Sequence, residues 1–276
     1  MGAARRRGNF GVVTTFEFRL HEVAMPAVAM VFYPPDRGKE VLEAYREWGP
    51  ACPDETGSIL FFLNAPPLPF LPQEMHLAPF FVLVAPTFAD QARAEATLAP
   101  MLKLVPAFHL ITPMPYAALQ SSFDEPYPHG VLVYQKSQFL SSVSGSVIDG
   151  LLDAAARKNP GLSMIQLWSG GGAYSRVPDE ATPFMHRKAP FLLDVLGVWN
   201  HPSQADSERT WVRRTWEAGR PAGVGAYVNF ISELDPDRVV DDVYGWSTYQ
   251  RLAEIKGRWD PGNVFRLNQN IAPARK

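Results

Sequence analysis

One cysteine, Cys52, is all the chain carries, so no intrachain disulfide can form; the redox compartment stays open, with a reduced cytoplasm as the default. Histidines are few and scattered (His21, His76, His109, His129, His186 and His201), and none shows the spacing of a zinc site, so no metal is expected. Basic charge is scarce as well. The net charge is −2, and no run of Lys and Arg exceeds Arg5 to Arg7, which leaves no footprint for a nucleic-acid backbone. No apolar run is long enough to cross a bilayer, and the opening MGAARRRGNF lacks the apolar stretch of a signal peptide. Gly170, Gly171 and Gly172 are followed by no Lys-Ser or Lys-Thr, so they read as a turn rather than a phosphate loop. Nucleophile elbows, low-complexity segments and short internal repeats are absent too.

What is present is an ordinary globular balance: 276 residues, 46% hydrophobic and 20% charged, enough for a sizeable core. The 26 prolines point to many element boundaries. Residues 10 to 21 alternate, with Phe10, Val12, Phe16, Phe18 and Leu20 opposite Thr15, Glu17, Arg19 and His21, which predicts a strand. Further strands are expected at 27–33, 58–63, 80–85, 129–135, 162–168, 191–198 and 223–232. Helices are expected at 38–49 (Val41, Leu42, Tyr45 and Trp48 inward), 89–99 with Pro100 ending or kinking it, 141–157 and 205–218. The prolines of 66–72 read as a rigid connecting loop. Strands too close for crossovers, mixed with helices, predict an α+β fold: an antiparallel sheet with helices packed on one side.

The C-terminal stretch Gly245 to Ile271, GWSTYQRLAEIKGRWDPGNVFRLNQNI, is the most distinctive. Tyr249, Leu252, Ile255 and Trp259 mark one helical face, with Lys256 and Arg258 directed elsewhere and Ser247 or Thr248 as the N-cap. DPGN then makes a turn, and an amide-rich tail follows. The run YQRLAEIKGRWDPGNVFRLNQNI resembles the C-terminal signature of the berberine-bridge-enzyme-like family of FAD-linked oxidases. The opening GNFGVVTTFEFRLHEV resembles the segment that ends that family's FAD-binding domain. MPYAALQSSFD at 114–124, and LWSGGGAYSRVP to TPFMHR between 167 and 187, resemble its substrate domain. AYVNF at 226–230 resembles the start of its returning C-terminal segment. YGWSTYQRL departs from the family's YYGENYERL, with Trp246 for a glycine and Thr248 for an asparagine.

The resemblance implies a division at 1–24 (a strip of FAD-binding domain), 25–222 (the substrate domain) and 223–276 (the segment returning to the FAD domain). It implies FAD as cofactor, with most of its site on a further stretch preceding this chain, so the strand at 10–21 would lack its sheet neighbours. Gly8, Asn9, Gly11, Asn229, Asn268 and Asn270 are the implied cofactor contacts. Tyr227 is the implied base, accepting a substrate hydroxyl proton as hydride leaves the neighbouring carbon. A phenol with its ordinary pKa near ~10 is a weak base, so a neighbour must activate it. By its spacing before TPFMHR, Arg176 falls where plant members carry a catalytic glutamate; with Tyr174 it is the implied substrate contact. The expected function is FAD-dependent oxidation of an alcohol on a sugar or secondary metabolite. Its expected partners are a small-molecule substrate and a separate FAD-binding polypeptide or a homodimer mate, with neither nucleic acid nor membrane. The rival is a flavin-free binding or dimerisation module.

Overall fold

The structure is a computed structural model that describes residues 8–23, 25–122, 124, 130–233, 240–267 and 269–274. The chain first builds a β-α-β-β-α-β unit: β1 (Ala27–Tyr33), α1 (Gly38–Trp48), β2 (Ile59–Asn64), β3 (Pro79–Thr87), α2 (Gln91–Leu102) and β4 (Phe108–Pro113). A short helix α3 (Tyr116–Ser121) follows. The pattern then repeats with β5 (Leu132–Leu140), α4 (Gly145–Ala156), β6 (Met164–Ser169), the four-residue α5 (Gly172–Ser175), β7 (Phe191–Trp199), α6 (Ala205–Gly219) and β8 (Gly223–Gly225). Last comes α7 (Trp246–Trp259).

The eight strands form one sheet in the order β4-β1-β3-β2-β6-β7-β5-β8, every neighbour antiparallel. Each half taken alone has the order 4-1-3-2, and the halves meet edge to edge at β2 and β6, so the sheet is a tandem pair of ferredoxin-like units. No repeat is visible in the sequence, because strand order is a property of pairing rather than of local composition. β4, unanticipated from the sequence, completes the first half.

One face of the sheet carries the helices. Val41, Leu42, Tyr45 and Trp48 of α1 are buried as the spacing predicts, and they pack with Leu98, Val147, Ile148, Leu151, Trp211 and Val212 over Val31, Leu83, Ile165 and Val195 of the strands. Each such aliphatic side chain, fully buried, contributes about 1.5–3 kcal/mol. Polar tips are satisfied: Tyr45 donates to the Leu167 carbonyl at 3.1 Å and Trp211 Nε1 to the Ala154 carbonyl at 3.0 Å. Asp90 caps α2 by accepting from Arg93 N at 2.8 Å. That helix runs past Pro100 to Leu102, because the proline sits in the last turn.

Part of the opposite face is covered by the proline-rich loop, whose Ala65, Leu71 and Met75 pack on Phe32, Phe61 and Val82. The same cluster takes in Met164 of β6 and Leu196 and Val198 of β7, and farther along β5 the C-terminal segment meets this face.

Two expectations are corrected. Residues 10–21 form no strand: they pair with nothing among the described residues, and Val12, Phe16, Phe18 and Leu20 are exposed. Alternation supplies a strand's side-chain pattern, but only a neighbour supplies its hydrogen bonds. The strand expected at 223–232 stops at Gly225, and Val228–Phe230 turn in a 3-10 helix.

Candidate functional site

The C-terminal segment reaches the open face through β5. Ser232 N donates to the Gln135 carbonyl at 2.8 Å, Gln135 N donates to Ser232 Oγ at 2.8 Å, and Ser137 Oγ donates to the Tyr227 carbonyl at 3.3 Å. This seats the Tyr227 ring among aromatics, with ring centroids 5.0 Å from Phe230, 5.7 Å from Phe184 and 6.2 Å from Phe139. Trp168 stands 5.9 Å from Phe230, and Tyr174 6.0 Å from Phe184. Asn229 Nδ2 donates to the Tyr227 hydroxyl at 2.7 Å. The two side chains meet across a turn, not along the one face of a strand that was expected. Asn229 leaves the hydroxyl hydrogen free to be donated elsewhere.

A carboxyl lies on the same face, unannounced by any motif. Asp194 is 1% exposed, and Gln135 Nε2 donates to both of its oxygens at 3.0 and 2.9 Å. Its register partners are Ser137 on β5 and Gln166 on β6. Burial, only partly offset by the Gln135 amide, pushes the carboxyl up to about 8, so it stands protonated at neutral pH. A usable signal was available: Asp194 is the lone charge in the apolar run LLDVLGVW, and an unpaired charge at a buried position marks a functional candidate.

Below this face the chain's two ends meet. Asn9 Nδ2 donates to the Gln269 carbonyl at 3.2 Å, and Ile271 N donates to Asn9 Oδ1 at 3.4 Å. Gln269 Nε2 in turn donates to the Ile231 carbonyl at 3.0 Å, tying the junction to the segment that carries Tyr227. The clasp is Lys256, wholly buried, whose Nζ donates to the Asn9 carbonyl at 2.5 Å, Asp260 Oδ2 at 2.5 Å and the Phe265 carbonyl at 2.8 Å. Asp260 also accepts from Val264 N and Phe265 N, at 2.8 and 2.9 Å. Burial pushes the Asp260 carboxyl up, but the Lys256 ammonium and the two amides outweigh it and hold it at about 2.

This corrects the expected face of α7. Leu252, Ala253 and Lys256 point inward, while Ile255 is 38% and Trp259 66% exposed. The N-cap is Gly245, whose φ of 68° suits glycine, not Ser247 or Thr248. Trp246 opens the helix and is exposed.

Of the other predicted contacts, Gly8 and Gly11 lie beside Asn9; a Cβ on Gly11 would meet nothing, so backbone is approachable there. Asn270 presents a buried Oδ1 with no partner. Asn268 lies outside the described residues. Tyr174 and Arg176 do not share an extended face. Tyr174 belongs to α5, which opens directly after the glycine turn where no helix was expected, and Arg176 makes an exposed ion pair with Asp54. Gly225 lets the backbone pass His186, whose ring would stand 2.0 Å from a Cβ there. Burial lowers the pKa of that histidine, against the Asp242 carbonyl that raises it. No group of His, Cys, Asp and Glu among the described residues could hold a metal ion, and no helix there is long and apolar enough to cross a membrane.

The site thus joins an aromatic cluster on the sheet's open face to an amide-rich junction of the described terminal segments. Residues 226–272 match the family described as "Berberine and berberine like". An uncharacterised FAD-linked oxidoreductase of Bacillus subtilis is 29% identical, over 97% of this chain and 59% of its own length. Among solved structures, a chitooligosaccharide oxidase aligns with a TM-score of 0.76 at 18% identity, over 97% of this chain and 59% of that one. A variant of BBE-like 1 from Physcomitrella patens aligns with a TM-score of 0.75 at 17% identity, over 94% and 56%. The match to the berberine and berberine-like family is confined to residues 226–272, and the chain spans under two thirds of the length of these relatives.

Proposed function

We propose that this chain is the substrate-side portion of an FAD-dependent oxidase that converts an alcohol of a sugar or secondary metabolite to a carbonyl. The reading rests on one observation: residues 8–11 and 269–271, far apart in sequence, are bound together and linked through Gln269 to the segment that carries Tyr227. The residues present fit part of a flavin site. Gly11, beside Gly8 and Asn9, offers approachable backbone, and the orphaned Asn270 Oδ1 offers an acceptor to a ring N–H. When bound, FAD would supply the hydride acceptor. The remaining wall of its site would come from polypeptide outside these 276 residues.

In this reading the aromatic face stacks on the substrate, and its apolar rings exclude water from the reacting carbon. Tyr227 takes the hydroxyl proton in its phenolate form, at the oxygen to which Asn229 Nδ2 donates. The neutral Asp194, held by Gln135, adds no second negative charge beneath it. Tyr174 borders the substrate through Phe184, and Arg176 is a contact only if its pair with Asp54 opens. The test is oxidase turnover on an oligosaccharide by the flavin-loaded protein. Tyr227→Phe is expected to lower kcat about 10²–10⁴-fold with flavin still bound. Full turnover by the variant would remove Tyr227 from the chemistry. A chain that takes up no flavin, alone or with an FAD-binding partner polypeptide, would overturn the oxidase reading.

A second reading has its own support. The exposed stripe Phe16, Phe18 and Leu20, with the two phenylalanine rings stacked at 5.6 Å, suits a mate that buries it, whether an FAD-binding polypeptide or a second copy of this chain.

A further inference from the structure

One cavity lies away from the aromatic face, where the two halves of the fold meet. It measures about 650 Å³, within the usual range for small-molecule sites, and its floor is apolar: Phe62, Phe81 and Leu152. One wall is Lys158, just beyond the end of α4. Its ammonium does not turn back on the last helix carbonyls. Nζ donates instead to Asn64 Oδ1 at 2.5 Å, the Asn159 carbonyl at 2.8 Å and the Gly161 carbonyl at 3.2 Å. Asn64 Nδ2 continues the chain to the Leu77 carbonyl at 2.7 Å. Leu77 holds φ at 62°, a region costly for leucine, and stands 70% exposed at the lip.

All three acceptors of Lys158 are neutral. Among the described residues no carboxylate pairs with it. The acid it feels most, Glu208 of α6, is occupied by Asn159 Nδ2 at 2.9 Å and Ser163 Oγ at 2.6 Å. A half-buried ammonium whose hydrogen-bond partners are all neutral, bordering a cavity with an apolar floor, offers an anion a charged partner beside an apolar surface. The other charged groups at the cavity are exposed and at its mouth: Asp36 and Lys39, from the turn that leads into α1 and from its first residues.

We propose that this cavity binds a small carboxylate with an apolar body, of the aryl-carboxylate class, with Lys158 as its counter-ion. The apolar part lies on Phe62, Phe81 and Leu152, and the carboxylate replaces one of the two backbone carbonyls on Nζ, since a charged acceptor makes the stronger bond. The site is separate from the flavin junction and is testable without flavin. Burial lowers the Lys158 pKa to about 8, with Glu208 opposing, so the ammonium is present below that pH and lost above it.

The experiment is calorimetric titration of the 276-residue chain with benzoate and with benzyl alcohol, which has the ring without the charge. Benzoate should bind in the millimolar range or tighter, weaken about tenfold or more in Lys158→Met, and fade as pH rises past that of the amine. Benzyl alcohol should bind no better than benzoate does to the variant. If Lys158→Met fails to fold by circular dichroism, Ala156→Trp, which fills the cavity from its exposed side, must abolish benzoate binding. Absence of benzoate binding to the parent chain, equal binding to Lys158→Met, or undiminished binding to Ala156→Trp would each overturn the proposal.

Discussion

Replacing Asp194 by asparagine is the sharpest test of how the open face is held. At neutral pH the buried carboxyl is protonated, and an amide of the same shape keeps one of the two oxygens that accept from Gln135, so the fold should tolerate the change at the loss of one hydrogen bond. What changes is the response to pH. The carboxyl titrates near 3.8 in the unfolded chain and at about 8 in the folded one. Because the folded-state pKa is the raised one, its stabilising effect is fully present below about pH 4 and is lost as pH climbs towards 8. A gap of some four units at about 1.4 kcal/mol each puts the whole effect on the order of 5 kcal/mol, an upper limit because water entry on ionisation relaxes it. Urea denaturation of both proteins at about pH 5, 7 and 9 reads it by difference, since Lys158, which also titrates in this range, and Asp260, which stays ionised, are common to both. The parent should lose stability relative to Asp194→Asn at each step and stop losing it above the folded pKa. Parallel stabilities across that range would show that Asp194 is not a buried neutral acid.

Two further outcomes follow from the same geometry. Lys256→Met removes the buried cation that holds Asn9, Asp260 and Phe265 together, so it should lower the thermal midpoint and expose residues 8–11 to proteolysis; Arg176→Ala, which breaks an exposed pair, should do neither. Replacing both Phe16 and Phe18 by serine should leave the midpoint unchanged, since both are exposed, while weakening any self-association seen in sedimentation. Equal association would assign the mate's surface elsewhere.

Much of the fold was legible in the sequence because local pattern and tertiary burial agreed. Val41, Leu42, Tyr45 and Trp48 are buried as their spacing requires, and the apolar runs that became β2, β3, β6 and β7 needed only neighbours of their own kind. The C-terminal signature likewise pointed to the family whose model matches residues 226–272, since a motif of that length records its own structure. Tertiary structure alone decided the rest, wherever a residue's place depends on a distant partner. Lys256 read as an outward charge because nothing local shows that Asp260, Asn9 and Phe265 will satisfy it inside. Residues 10–21 alternate like a strand yet have no neighbour to pair with among the described residues. The doubled 4-1-3-2 order, the burial of Asp194 and the meeting of residues 8–11 with 269–271 are all contacts across large sequence separations. Periodicity reports which side of an element is apolar; it carries no information about which element will face it.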